Sequence, residues 1–384
     1  MDPKNFSNKA PGRVIYTPNG YWAFVPDPLP PAIHWSGEML NALSEAERQL
    51  GYLASLADSL PSPYILVQPF ISREAVLSSR IEGTRASLED LYHFEARQLS
   101  FFEDTADVRE VQNYSKALNY GLERLSTLPI SLRLIREIHG KLMEGVRGEH
   151  LTPGEFRRSQ NWIGPAGSTI NSATLVPPPV DEMHIALAEL ENFIHSASNL
   201  PKLVQAGLIH YQFEAIHPFL DGNGRLGRLL VTLLLIEWGL ISQPLLYLSA
   251  FFETHRLEYY DNLLAVSHHG DWEKWLRFFL RGVSSQSMDA TRRIERLGTL
   301  RTHYRELLCK ERGGVRLLEA LDALFERPIL TIHQLESALG VPYLSAGRYV
   351  EKLVKKGIIR EITGHTRNRV YQADDILEAL TSTE

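Results

Sequence analysis

Apolar residues recur at spacings of three and four over most of this chain, and that period commits it to helices. From Ser36 to Leu60 they fall at Met39, Leu40, Leu43, Leu50, Leu53, Ala57 and Leu60, and Pro61 closes the segment. The same period predicts helices over Arg109 to Leu125, Ser131 to Glu144, Asp181 to Ser196, Pro201 to Ala215, Arg225 to Trp238, Thr254 to Ser267 and Asp271 to Met288. Strand character is confined to two places. Trp162 to Pro179, rich in Gly, Pro, Thr and Ser, reads as a short hairpin, and Ile358 to Tyr371 alternates near the carboxyl end. The expected fold class is mainly α.

At 384 residues the chain has room for two or three domains of about 150 residues. Its 44% apolar and 22% charged content is too hydrophobic for a disordered protein. A Pro-rich stretch, Pro26 to Pro31, separates a short extended entry segment from the first helix. Apolar residues thin out from Asp289 to Glu311, and Arg312-Gly313-Gly314 marks a second boundary. The formal charge of −6 predicts no general affinity for nucleic acid or membrane, so any such patch must be local. Cys309 is the lone cysteine; it forbids an intrachain disulfide, fits a reducing compartment and reads as a small buried hydrophobe. The amino terminus has no signal-peptide pattern, and the most hydrophobic run, Leu229 to Ile236, is far short of the roughly 20 residues that span a bilayer. A cytoplasmic protein with no membrane partner is expected.

Reactive groups concentrate in His217-Pro218-Phe219-Leu220-Asp221-Gly222-Asn223-Gly224-Arg225-Leu226-Gly227-Arg228, between two apolar helices. Gly222 and Gly224 let successive backbone N–H groups converge, and the helix opening at Arg225 adds its positive end, which makes an anion cradle. Arg225 and Arg228, three apart, share a helix face and can grip an oligophosphate at two points. Asp221 is the one carboxylate there, suited to holding Mg²⁺ beside phosphate oxygens. His217 is the proton acceptor of the set. Base, metal ligand, cradle and two clamps describe a phosphate-ester transferase acting on a metal-bound nucleotide.

The same twelve residues resemble the Fic family signature H-P-F-x-D-G-N-G-R-x-x-R at every fixed position. The resemblance implies a helical core that transfers AMP from ATP to a Ser, Thr or Tyr hydroxyl of a protein and releases pyrophosphate. It implies that His217 deprotonates the hydroxyl and that Asp221 holds Mg²⁺. The Gly222-Asn223-Gly224 backbone and the Asn223 side chain would bind the α and β phosphates, with Arg225 on the phosphates and Arg228 on the γ-phosphate. Phe219 would pack inward to anchor the loop, Phe219 and Leu220 would count among the ATP-binding residues, and Tyr259 and Tyr260 would lie near the adenine. A β-hairpin flap that holds the target corresponds to Trp162 to Pro179, with Ile163, Gly164 and Pro165 entering its turn at Gly164-Pro165-Ala166-Gly167.

Ser72 to Glu82 has helical spacing and Gly83 is a helix stop, so Glu82 sits at the negative end of a helix dipole, unfavourable by about 0.3–1 kcal/mol when exposed unless a cation meets it. Ser78-Ser79-Arg80-Ile81-Glu82-Gly83 resembles the Fic inhibitory motif S/T-x-x-x-E-G/N. That resemblance implies a pair between Glu82 and Arg228 that blocks the γ-phosphate site and leaves ATP misaligned.

Toward the carboxyl end, Thr331-Ile332-His333-Gln334 reads as a capping box, Gly340 ends that helix, and a second runs from about Leu344 to Lys356. Two strands follow around Gly364-His365-Thr366. From Val341 to Tyr371, seven Lys/Arg oppose two Glu, a local +5. The pattern resembles a winged helix-turn-helix, a module that contacts DNA in some proteins and docks proteins in others. The expected architecture is an N-terminal helical region with an inhibitory helix (1–105), a Fic-like core with a small β-hairpin flap (106–288), a helical linker (289–312) and a winged helix (313–384). Expected partners are a target protein, the chain's own hydroxyls, DNA at 341–371 and a second copy as a homodimer. Two alternatives stand beside AMP transfer: a nucleotide-sensing transcription regulator, and transfer of another phosphate-containing group. The intact His217 argues against the sensor, which would need the cradle and not the base.

Overall fold

The computed structural model describes residues 1–60, 64–97, 106–146, 151–165, 167–309 and 314–382. The chain opens with an antiparallel hairpin, β1 (Gly12–Tyr16) and β2 (Trp22–Pro26), in the register Gly12 to Pro26 and Tyr16 to Trp22. The entry segment, expected only as extended, thus forms a hairpin around Asn19-Gly20.

Helices α1 (Gly37–Ser59), α2 (Tyr64–Ile81), α3 (Leu88–Arg97), α4 (Ala106–Arg124) and α5 (Leu132–Leu142) follow. Ser36 caps α1 by accepting from the Met39 N–H. Expected to begin at Ser72, α2 instead begins at Tyr64 and runs through Pro69. Packing against α4 lets it absorb the missing N–H of that proline. The core continues with α6 (Val180–His195), α7 (Lys202–Ile216), α8 (Asn223–Glu237), α9 (Ser249–Thr254) and α10 (Arg256–His269). Nearly every residue of α7 and α8 is buried, as expected for a central helix pair.

One long helix, α11 (Trp272–Leu308), lies along α1. The stretch expected as a linker continues this helix without a break as far as Leu308, because Ala290, Ile294, Leu297, Tyr304 and Leu308 keep a buried stripe. Cys309, just past its end, is exposed and not buried as expected, since Leu308 takes the inward position.

The carboxyl-terminal module contains α12 (Gly314–Glu326), β3 (Ile329–Thr331), α13 (Ile332–Leu339), α14 (Tyr343–Lys355), β4 (Arg360–Glu361), β5 (Val370–Gln372) and α15 (Asp374–Thr381), with its sheet in the order β3-β5-β4. The capping box at Thr331 and Gln334 is formed. The module is not held at a distance. α12 packs on α2 and β3 on α3, and Gln334 Nε2 donates to Glu95 O at 2.9 Å. Arg293 of α11 donates to the Ala379, Leu380 and Ser382 carbonyls at 3.1, 2.9 and 2.7 Å.

Among the described residues, 162–165 and 167–179 form a loop with one antiparallel bridge, Ile163 to Leu175, where a short hairpin was expected. Pro177, Pro178 and Pro179 donate no N–H, and Ser172 Oγ captures the Thr169 N–H at 2.9 Å, so the ladder has little to build on. Ala166, in the expected turn, lies outside the described residues. Among the described residues, no helix is long and apolar enough to cross a membrane.

Candidate active site

The signature loop links α7 to α8, and its shape is set by contacts from below. α7 ends at His217, whose backbone is left-handed (φ 48°, ψ 62°), a conformation rare for a side-chain-bearing residue. The His217 carbonyl accepts from Arg157 Nε at 3.0 Å and Asn161 Nδ2 at 3.1 Å, which hold it there. Phe219 is fully buried as expected, stacked on His139 with ring centroids 3.7 Å apart. Gly222 has φ 79°, and a Cβ there would press on Met143 Sδ at 2.9 Å. Leu220 is half-buried beside it.

Asn223 begins α8, and its side chain faces back into the loop. Oδ1 accepts from the Phe219 N–H at 2.9 Å and Nδ2 donates to Phe219 O at 2.8 Å. These two bonds give the side chain expected to grip phosphate a structural role in holding the loop, and the backbone N–H groups and the helix end remain for an anion. His139 supports the other side. It accepts from the Gly154 N–H at Nδ1 (2.9 Å), so its Nε2–H donates to Asp221 O at 3.0 Å.

His217 Nδ1 lies 3.2 Å from Glu214 O. A carbonyl only accepts, so Nδ1 carries the proton and Nε2 is left bare. Burial draws the imidazole down from its ordinary value to about 4, so it is neutral near pH 7. A neutral ring with an open Nε2 can accept a proton.

Arg225 and Arg228 are both buried. Arg225 Nη1 donates to Glu110 on α4 at 3.0 Å and Nη2 lies 3.7 Å from Asp221, while among the described residues its Nε has no hydrogen-bond partner. Arg228 Nη2 donates to Glu82 Oε1 at 2.7 Å, and Nε and Nη2 reach Ser78 Oγ and Ser78 O, both at 2.9 Å. Burial pushes the Glu82 carboxyl up, but the Arg228 charge and hydrogen bond outweigh it and hold the group below its ordinary value. Gly83 follows with φ 101°. Gly224 makes room: a Cβ there would collide with Glu82 Oε1.

Two carboxyls nearby were not anticipated. Glu214 is half-buried, desolvation raises it to about 7, and among the described residues its buried Oε1 has no partner; burial raises Glu74 to about 7 as well, where it accepts from Tyr114 at 3.0 Å and from Ser249. Asp221 keeps more than a third of its side chain exposed (38%) and accepts the Gly222 N–H at 2.6 Å. Among the described residues, no group of three His, Cys, Asp or Glu could hold a metal alone. The donor set fits a Mg²⁺ that shares phosphate oxygens.

The two tyrosines separate. Tyr259 is buried, stacked on Phe252, and its hydroxyl donates to His210 Nε2 at 2.8 Å, so it supports α8 from behind and does not line the site as expected. Tyr260 is exposed (39%), beside the Arg256 guanidinium. In the flap loop, Ile163 packs in a second apolar cluster with Phe24 and Val176, while Gly164 and Pro165 are exposed. Arg157 links this loop to His217 through Pro178 O, at 2.5 Å.

Two family models match in tandem: the Fic/DOC family N-terminal model over residues 40–123 and the Fic/DOC family model over residues 129–235. The curated protein adenylyltransferase Fic of Drosophila virilis is 30% identical over 172 residues, covering 44% of this chain and 32% of that protein. That of Aedes aegypti is 34% identical over 151 residues, covering 39% and 27%. This chain thus spans about a third of the length of the curated relatives it matches. A crystal structure of a Fic family protein from Desulfovibrio desulfuricans G20 superposes with a TM-score of 0.57 at 20% identity, covering 90% of this chain and 98% of that one. A variant of Fic-1 from C. elegans gives 0.51 at 21% identity, covering 69% and 75%. At these identities the likeness is one of fold.

Proposed function

The chain belongs to the Fic/DOC family, and from that membership we propose that it is a protein adenylyltransferase. It moves AMP from ATP to a Ser, Thr or Tyr hydroxyl of a target protein, and to its own hydroxyls. The observation that carries the reading is the neutral His217, with Nδ1 committed to Glu214 O and Nε2 open at the mouth of the α8 cradle. Nε2 takes the hydroxyl proton, the hydroxyl oxygen bonds to the α-phosphorus, and the bond from that phosphorus to the bridging oxygen breaks, releasing pyrophosphate. The backbone amides opening α8 and the Arg225 guanidinium hold phosphate oxygens. Asp221 would hold Mg²⁺, which when bound neutralises phosphate charge.

Glu82 keeps the enzyme off. While Arg228 is engaged by Glu82 and Ser78, the γ-phosphate has no clamp and the α-phosphate is not presented in line with the attacking oxygen. Incubation with α- and γ-labelled ATP in parallel tests the reading: α-label alone retained on protein is the expected result. Retention of γ-label would favour transfer of another phosphate group, and retention of neither, with nucleotide bound, would favour a sensor.

The lone cysteine supports a reducing compartment such as the cytoplasm. For the tail, exposed Arg348 and Lys355 on α14 and Arg367 in the wing support contact with duplex phosphates.

A further inference from the structure

Arg157 carries a full charge in a place where a neutral donor already does similar work. Its side chain is wholly buried, and among the described residues no carboxylate pairs with it. Main-chain oxygens alone meet it. Nε donates to His217 O at 3.0 Å, Nη1 to Ser159 O at 3.3 Å and Nη2 to Pro178 O at 2.5 Å, while its own N–H donates to Pro218 O at 2.9 Å. Four residues on, the neutral Asn161 ties the same His217 carbonyl at 3.1 Å and Phe219 O at 2.8 Å. A buried cation without a counter-ion is costly, and a structural tie does not require one. The charge therefore calls for a second role, and its neighbour is the imidazole of His217.

We propose that Arg157 is a positioning residue for the transfer reaction: its guanidinium locks the left-handed backbone of His217 to the base of the flap loop and sets a positive charge beside the proton-accepting ring. The inference rests on the reading of His217 as the base. A strained backbone persists only where its surroundings over-determine it, and the two donors on the His217 carbonyl do so. Four elements face the ring. Burial draws it down most, the Glu214 carbonyl of α7 opposes that, Arg157 adds to the lowering, and Glu82 after α2 and Asp221 in the loop pull the other way. Arg157 is thus the nearby cation that favours the unprotonated ring.

The test uses the full chain with ¹³C-labelled histidine, whose His217 resonance is identified by its loss in His217→Ala, titrated by NMR from about pH 3 to 8. Rates of α-label incorporation are compared within the Glu82→Gly background. Arg157→Gln is expected to raise the His217 midpoint by about one unit and to slow labelling about tenfold. Arg157→Lys keeps the charge but loses the fork, so it should slow labelling about tenfold with the midpoint unmoved. An unmoved midpoint in Arg157→Gln, or undiminished labelling in Arg157→Lys, overturns the proposal; should Arg157→Gln fail to fold, the Lys variant decides. Full labelling by His217→Ala would sink the base assignment instead, a result the NMR midpoint does not depend on.

Discussion

Arg228 caps the helix that carries Glu82: its Nη2 bridges Glu82 Oε1 at 2.7 Å and Ser78 O at 2.9 Å, across the junction of α8 and α2. Ser78 O is one of the last-turn carbonyls that a helix leaves unsatisfied, because the Glu82 N–H turns to Ser79 O. A cation there answers both the helix dipole and the carboxylate that the dipole disfavours. The arginine that a nucleotide would need is thus held by a helix end as well as by an ion pair.

Glu82→Gly is expected to raise AMP transfer, self-labelling included, by about tenfold or more, since a charge-assisted hydrogen bond of about 1.5–3 kcal/mol is removed from the resting state. The reading turns on sign. Loss of a merely structural partner from the buried Arg228 would lower activity, whereas release of Arg228 raises it. Arg228→Ala in the same background should erase the gain. Equal or lower labelling by a folded Glu82→Gly refutes the inhibitory role.

His217→Ala is expected to lose about 10²–10⁴-fold in labelling while keeping ATP affinity, because the imidazole removes a proton and is not part of the phosphate cradle. With its folded pKa held near 4, the ring is already neutral above that pH. Because the Glu82 charge raises the ring and is absent in Glu82→Gly, the acid limb of that variant's rate profile should fall at or below about pH 4 and not at the ordinary histidine value of about 6.5. A limb at about 6.5 would contradict the neutral, half-buried ring.

Glu110→Ala should destabilise the fold by about 3–5 kcal/mol in chemical denaturation, because among the described residues it leaves the buried Arg225 with Asp221, 3.7 Å away, as its nearest carboxylate. Adding Arg225→Met should recover part of that loss. Additive effects in the double variant would mean that the pair is not coupled.

Duplex DNA is expected to bind the full chain at low salt and to dissociate steeply as salt rises, with Arg348→Glu and Lys355→Glu together abolishing the shift. No shift at any salt concentration would turn the tail toward protein docking, for which Tyr343 and Leu344 are exposed on the same helix.

The cradle was legible because its residues lie within one twelve-residue stretch, and Glu82 because an acid before a helix-stopping glycine is locally out of place. Arg157, Asn161 and Glu110 left no such mark. They act on residues 60, 56 and 115 positions away, and no local periodicity encodes a contact across that distance. Tyr259 and Tyr260 are neighbours of one type, and only the packing around α10 decides which is buried. The turn of the β1 and β2 hairpin is written locally in Asn19-Gly20 between apolar runs, while the prolines of 177–179 show why turn residues alone do not make a ladder.

The unbroken course of α11 has a consequence for how this molecule can change over time. A loop between two modules absorbs insertions, but one residue added to a helix turns everything beyond it by about 100° and advances it by about 1.5 Å. Such a change between 289 and 308 would swing α12 and β3 off the faces of α2 and α3 on which they rest. The length of this stretch is therefore held in angular phase: a deletion or insertion there should be tolerated only in steps that restore whole turns, whereas single substitutions on its solvent side should be freely accepted.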